Sequence, residues 1–261
     1  MSGIRTAARL LLEARLKNHR LAELPSDARP KTPEEAYACQ DALAARIIEC
    51  YGGTIAGYKI ACTNQIAQEL LHSGPFYGKL FTSFLTESPA RIKANDFFMR
   101  VIEAEFAFRM ARDVGPRKEP FTRDEVVDAV EGVLPGIEIV DSRFQDWITA
   151  GAESLIADNA CHGAWVKGRL VSDWRGIDLA AQKVRLWVNG NVIQTGSGAA
   201  VMGDPLNALL WLVEALRARG DGLKAGEYVT TGVTTNIYMG QRGDQIRAEF
   251  GQIGTAELTF E

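Results

Sequence analysis

A chain of 261 residues, 46% hydrophobic and 24% charged, carries enough apolar material for a sizeable core in one large domain or two small ones. Its formal net charge of −4 argues against a nucleic-acid or anionic-membrane role, since both need a basic face, and the densest basic group, Arg109 to Lys118, is broken by Asp113 and Gly115. Cys39, Cys50, Cys62 and Cys161 form no CxxC pair and lie near no paired histidines, so they read as reduced thiols of a cytoplasmic protein.

The opening segment MSGIRTAARLLLEARLKNHR sets Ala8, Leu11, Leu12 and Leu16 on one stripe and predicts an amphipathic helix. It lacks an apolar run with a small-residue cleavage site, and Glu13 is foreign to a transit peptide. A second helix is predicted over 33–50, with Thr32 as N-cap and Pro33 in the first turn. Strands follow at 55–62 and 100–112. A third helix is predicted over 122–133, where Thr122 and Glu125 have capping-box spacing, then strands over 134–141 and 163–171. VRLWVNGNVIQTG (184–196) carries Asn189-Gly190 between two β-rich runs, a strong hairpin signal. A fourth helix spans 204–220, with Asp204 as cap, Pro205 at N1 and Gly220 as stop, and strands close the chain at 227–231 and within 245–261. No segment approaches the ~20 apolar residues of a bilayer span. Helices dominate the first 75 residues and strands the rest, without βαβ alternation, which predicts an α+β fold with a mixed or antiparallel sheet. The expected division is a mainly helical region 1–75, which contributes the Lys59 strand, and a mixed-β domain 76–261, together one structural unit.

Within RVIEAEFAFRMAR (100–112), strand alternation puts Ile102, Ala104, Phe106, Phe108 and Met110 on one face. The other face carries Val101, Glu103, Glu105, Ala107 and Arg109, with the two carboxylates about 7 Å apart along the strand. Such a pair is either a wet strand face or a site where one cation touches both acids. In LPGIEIVD, Glu138 sits among Ile137, Ile139 and Leu134, where a buried glutamate needs a partner and an edge strand would leave it half exposed. Three glutamates from two strands would make an all-oxygen site suited to Mg²⁺ or Mn²⁺. Lys59, between Tyr58 and Ile60, reads on the residues alone as a lysine snorkelling from a surface strand; desolvated, it would bind a carboxylate or move a proton. TGSGAAVMGDP (195–205) has Val201 where a dinucleotide fingerprint needs Gly or Ala, and no P-loop occurs. TTGVTT (230–235) either lines a pocket or edges a strand. His162 reads as a satisfied core histidine.

Together V-I-E-A-E-F-A-F, then G-I-E-I-V-D-S-R-F, A-D-N-A and N-G…T-G resemble the 2-oxopent-4-enoate hydratase / 4-oxalocrotonate decarboxylase family of the fumarylacetoacetate hydrolase-like superfamily, over nearly the whole chain. The resemblance implies a mixed β roll with a helical N-terminal region, built around Mg²⁺ or Mn²⁺ held by Glu103, Glu105 and Glu138. It implies catalytic roles for Lys59 and Asp158, and substrate contacts from Lys59, Asn159 and Thr235. Family members bind a 2-oxo or 2-hydroxydienoic acid through its carboxylate and 2-oxygen, then add water or lose CO₂ by way of an enolate. The expected activity is therefore a hydratase acting on a small-molecule 2-oxo acid in catabolism, as a homo-oligomer. The alternatives are a decarboxylase of a 2-oxo-enedioate or a non-catalytic homologue. One departure stands out: after the Y-G-x-L-x turn, where the hydratases carry acidic residues, this chain has Thr82 and Ser83, whose hydroxyls do not replace a carboxylate base near neutral pH.

Overall fold

Thr32 and Asp204 open their helices as their positions predict: the Thr32 hydroxyl accepts the Glu35 amide at 3.3 Å and Asp204 accepts the Leu206 amide at 2.9 Å. The computed structural model describes residues 2–261. In chain order the first elements are α1 (Ser2–Leu16), α2 (Pro33–Tyr51), β1 (Ile55–Ala61), α3 (Gln65–Leu71), β2 (Phe76–Phe81), β3 (Leu85–Glu87), β4 (Ala90–Ile92) and β5 (Val101–Met110). Then come α4 (Arg123–Asp128), β6 (Val130–Val140), α5 (Ala152–Ala157), β7 (His162–Lys167), β8 (Lys183–Val188) and β9 (Asn191–Ser197). The chain ends through α6 (Pro205–Ala218), β10 (Tyr228–Val233), β11 (Tyr238–Met239), β12 (Gln245–Glu249) and β13 (Thr255–Phe260).

These strands form an eight-stranded sheet, ordered β2-β1-β10-β5-β6-β7-β3 with β11 beside β5, and a five-stranded sheet, ordered β4-β13-β12-β8-β9. The pairs β1–β10 and β3–β7 are parallel in an otherwise antiparallel large sheet, so the fold is α+β with mixed sheets, as expected. The apolar face of β5 enters the core: Ile102, Ala104, Phe106, Phe108 and Met110 are fully buried between the two sheets and α6. Phe106 meets Phe250 edge-on at 4.9 Å. Helix α6 adds Leu209, Leu212, Val213 and Leu216, each worth about 1.5–3 kcal/mol of burial. A second cluster packs α1 and α2 over Phe76, Phe81, Phe144 and Leu155. Strand β1 lies inside the large sheet, hydrogen-bonded to β2 and β10.

Three local expectations change. The predicted helix 122–133 stops at Asp128, although its capping box forms. From Val130 the backbone pairs with β5, Met110 opposite Val130 and Arg109 opposite Gly132, and this ladder with burial of Val130, Val133 and Leu134 outweighs a helical pattern. The Y-G-x-L-x segment is not a turn but strand β2, buried along its length and paired with β1. Finally, Gly198–Ala218 is apolar enough by composition to cross a bilayer, contrary to the sequence reading. It consists of a 3-10 turn and the 14-residue α6, which is only about 21 Å long and packs into the core. The β8–β9 hairpin turns where predicted, with Asn189 and Gly190 both at positive φ, 51° and 81°.

Candidate metal and substrate site

On β5 the second face carries Glu103 and Glu105, and antiparallel pairing sets Glu103 directly opposite Glu138 on β6. One oxygen from each of the three glutamates lies within 4.8 Å of the others. This is no wet strand face, because Glu105 and Glu138 are 0% exposed and only Glu103 opens onto a cavity. Lys59 reaches the cluster from β1, two strands away from β5. It is not a snorkelling surface lysine: it is buried, with Nζ 3.1 Å from Glu138 Oε2 and donating to the Ala160 carbonyl at 3.1 Å.

Three clustered carboxylates, Glu105 and Glu138 buried and Glu103 half-buried, face one ammonium, which leaves two negative charges to be balanced when all three are ionised. Burial raises the Glu105 pKa well above the ordinary range, and the Glu138 and Glu103 charges raise it further. Burial raises Glu103 as well, against the pull of Lys59. For Glu138 burial is outweighed by Lys59 and His162, so it falls below the usual carboxylate value. For Lys59 burial alone would lower the pKa, but Glu138, Glu103 and Glu105 together hold it above the ordinary lysine range. The three carboxylates thus favour the charged ammonium at neutral pH. Glu105 Oε1 is buried without a hydrogen-bond partner. An unpartnered carboxylate oxygen, an all-oxygen donor set and two uncompensated charges fit a divalent metal of the Mg²⁺, Mn²⁺ or Ca²⁺ kind.

Partners around the cluster come from distant segments. His162, at the start of β7, has Nδ1 3.0 Å from Glu138 Oε1. Burial lowers its pKa, so the ring is neutral, and facing a charged carboxylate Nδ1 must be the protonated nitrogen. His162 is buried as a core histidine, but it is not fully satisfied, since Nε2 has no hydrogen-bond partner, and its Nδ1 orients a site glutamate. Arg15, from α1, donates to the His162 carbonyl. On β10, the Gly232 amide donates to Glu105 Oε2 at 3.1 Å. Gly232 has φ +101°, and a Cβ there would stand 1.9 Å from Thr63 Oγ1, so no other residue fits.

The cavity above Glu103 and Lys59 measures about 1310 Å³ and is walled by α3, the segment 232–237 and the β8–β9 hairpin. Thr235 lines it, its hydroxyl donating to the Asn236 carbonyl at 2.9 Å. Asp158 and Asn159 lie beneath rather than on this surface. The Asp158 carboxylate accepts the Arg143 amide at 2.7 Å, and burial raises its pKa to about 6. The Asn159 side chain accepts from the Lys79 amide at 2.7 Å and donates to the Lys79 carbonyl at 2.8 Å, which ties the chain ahead of β7 to β2. Asp158 and Asp141 face the buried Arg143, whose Nη2 is 2.7 Å from Asp141 Oδ2. Asp158→Ala strips the buried Arg143 amide of its acceptor and is therefore expected to destabilise the fold by about 1–3 kcal/mol, measured by denaturant unfolding. An unchanged midpoint with lost turnover would instead give Asp158 a direct chemical role. Thr82 and Ser83 are exposed at the end of β2, outside the cavity, with the Thr82 hydroxyl accepting the Thr54 amide at 2.9 Å.

Residues 56–261 match the fumarylacetoacetate (FAA) hydrolase C-terminal family. The chain is 33% identical to a 2-hydroxyhexa-2,4-dienoate hydratase of Comamonas testosteroni, over 98% of this chain and 97% of that one. It is 31% identical to a 2-keto-4-pentenoate hydratase of Paraburkholderia xenovorans (strain LB400), over 98% and 94%. Among solved structures it superposes on 4-oxalocrotonate decarboxylase from Pseudomonas putida G7, complexed with magnesium and adipate, with a TM-score of 0.90 and 26% identity, covering 99% of this chain and 97% of that one. With the glutamate cluster in the large sheet and the match running through both sheets, the chain belongs to the fumarylacetoacetate (FAA) hydrolase C-terminal family.

Proposed function

We propose that this protein is a lyase, a divalent-metal-dependent hydratase that adds water to a short 2-hydroxydienoate or unsaturated 2-oxo acid. The observation that carries the reading is the convergence of Glu103, Glu105 and Glu138 with Lys59 at the inner end of one cavity. Glu103, Glu105 and Glu138 would hold the metal, Mg²⁺ or Mn²⁺. When bound, it would supply a Lewis acid and a template for the 2-oxo acid head. Lys59 donates one N–H to the Ala160 carbonyl and stands in an ion pair 3.1 Å from Glu138 Oε2, and its remaining donor capacity would serve the substrate carboxylate. Its positive charge also offsets negative charge that develops on the neighbouring 2-oxygen. His162 and the Gly232 amide hold Glu138 and Glu105 in place. Thr235 offers a hydroxyl on the cavity wall.

The second reading is a decarboxylase of a 2-oxo-enedioate on the same site, favoured by the full-length superposition at TM-score 0.90 on a decarboxylase. A non-catalytic homologue loses its main support, because Thr82 and Ser83 lie on the surface. The proposal includes a cytoplasmic homo-oligomer: all four cysteines are free thiols, and Val192, Ile193, Ile237 and Met239 are exposed aliphatic side chains. Purified protein with Mg²⁺ or Mn²⁺ is expected to consume 2-hydroxypenta-2,4-dienoate, with product mass showing gain of water, while light scattering gives a multiple of the chain mass. Release of CO₂ from a 2-oxo-enedioate alone would select the decarboxylase. No turnover of either substrate with either metal would overturn both.

A further inference from the structure

We propose that the left-handed turn Asn159-Ala160-Cys161 is a strained positioning device, which presents the Ala160 carbonyl as a fixed acceptor for Lys59 and so aims the rest of the ammonium into the cavity. It rests on the reading of Lys59 as the group that meets the substrate carboxylate, and it adds the backbone that holds Lys59 in that pose. Asn159, Ala160 and Cys161 have φ of 54°, 51° and 58°. Residues other than glycine visit this region singly, because their Cβ crowds the following carbonyl oxygen. Elsewhere among the described residues no two non-glycine residues of positive φ adjoin. Strain of this kind persists only where the surroundings over-determine it, and it gathers at functional sites.

The surroundings of this turn clamp it from both ends. Ahead of it the Asp158 carboxylate holds the Arg143 amide, and the Asn159 side chain bonds both the amide and the carbonyl of Lys79. A Cβ on Gly78 would stand 2.4 Å from the Asn159 carbonyl oxygen, so β2 presses directly on the turn. Behind it Arg15 donates to the His162 carbonyl. The three carbonyls of the turn divide their partners. That of Asn159 accepts the His162 amide and that of Cys161 accepts the Asp141 amide at 2.8 Å, both within the backbone, while that of Ala160 accepts Lys59 Nζ at 3.1 Å. With Glu138 Oε2 also 3.1 Å from Nζ, Lys59 is held from β6 and from the turn, and it lines the cavity together with Ala160 and Glu103. Glycine at 160 would adopt the same φ without strain but would let the carbonyl swing over a wider range. The Ala160 methyl group thus trades stability for one fixed carbonyl direction.

The test compares Ala160→Gly with the wild type by thermal melts and by titration calorimetry, first with Mg²⁺ alone and then with 2-oxopentanoate in the presence of Mg²⁺. The variant is expected to melt at the wild-type temperature or up to about 3 °C above it, because glycine relieves the strain and gives back part of that gain as chain entropy. Its Mg²⁺ affinity stays unchanged, since no glutamate is altered. Its affinity for 2-oxopentanoate falls about tenfold, the loss of one well-directed hydrogen bond to a charged group. A part that merely supports the fold would not give stability and ligand affinity moving in opposite directions. A lowered melting temperature, or an unchanged affinity for 2-oxopentanoate, overturns the device and leaves the metal site standing. A wild type that binds Mg²⁺ but not 2-oxopentanoate removes the substrate role of Lys59 and the device with it. Absence of Mg²⁺ binding by the wild type sinks the metal-site reading, and the device falls too.

Discussion

Glu105→Gln is expected to abolish the Mg²⁺-dependent rise in melting temperature while leaving the metal-free protein at least as stable as the wild type. A cation at about 100 times its Kd adds about 2.7 kcal/mol to the folded state, a rise on the order of 5–10 °C for a chain of this size. Removing one of three charged ligands should cost more than the roughly 10–100-fold typical of a ligand's supporting residues, so turnover should fall beyond about 100-fold. The metal-free protein responds differently. Burial first, then Glu138 and Glu103, raise the Glu105 pKa well above its unfolded value. The folded state therefore binds this proton more tightly than the unfolded state. Its contribution to stability is present below the unfolded pKa of about 4.3 and is lost as pH rises through the raised folded pKa. Glutamine mimics the protonated form at every pH and still accepts from the Gly232 amide, so this part of the pH slope should vanish. Thermal melts with and without Mg²⁺ across pH measure both effects, and a wild-type Mg²⁺ shift in the variant would remove Glu105 from the ligand set.

What the sequence makes legible here is local. Alternation along β5 separates the buried apolar row from the glutamate row, and both faces are found as read. The capping residues Thr32, Thr122 and Asp204 act as their positions predict, because a cap involves only the next three residues. Lys59 misleads for the opposite reason. Its burial follows from the order β1-β10-β5-β6, which carries it to Glu138 across 79 positions of chain, and no window around Tyr58 and Ile60 contains that fact. His162 and Arg15 join the site in the same way, from segments with no periodic or motif signal of their own. Helix 122–133 is overextended because residues from Val130 onward have a strand partner that only the folded sheet provides. Thr82 and Ser83 stand out as a departure from a pattern, but a pattern carries no position in space, and in the fold they face solvent.

Lys59→Met should move the metal response in the other direction. Lys59 is the only cation at ion-pair distance from the cluster, among the described residues, once the neutral His162 is set aside. Met keeps the length and apolar stem but leaves Glu103, Glu105 and Glu138 without a counter-charge and the Ala160 carbonyl without its donor. Breaking a buried pair in this way costs about 3–5 kcal/mol, a drop on the order of 10 °C without metal. The cluster then carries one more uncompensated charge, so Mg²⁺ should bind more tightly and the Mg²⁺-induced rise should exceed that of the wild type. Turnover should nevertheless fall about 10²–10³-fold, because a preorganised donor at the substrate head is gone. Tighter metal with lost turnover separates Lys59 from Glu105, whose replacement loses both, and it separates a charge that acts on substrate from one that merely balances ligands. A Lys59→Met protein with an unchanged or weaker Mg²⁺ response would mean that Lys59 and the metal do not share the same three carboxylates.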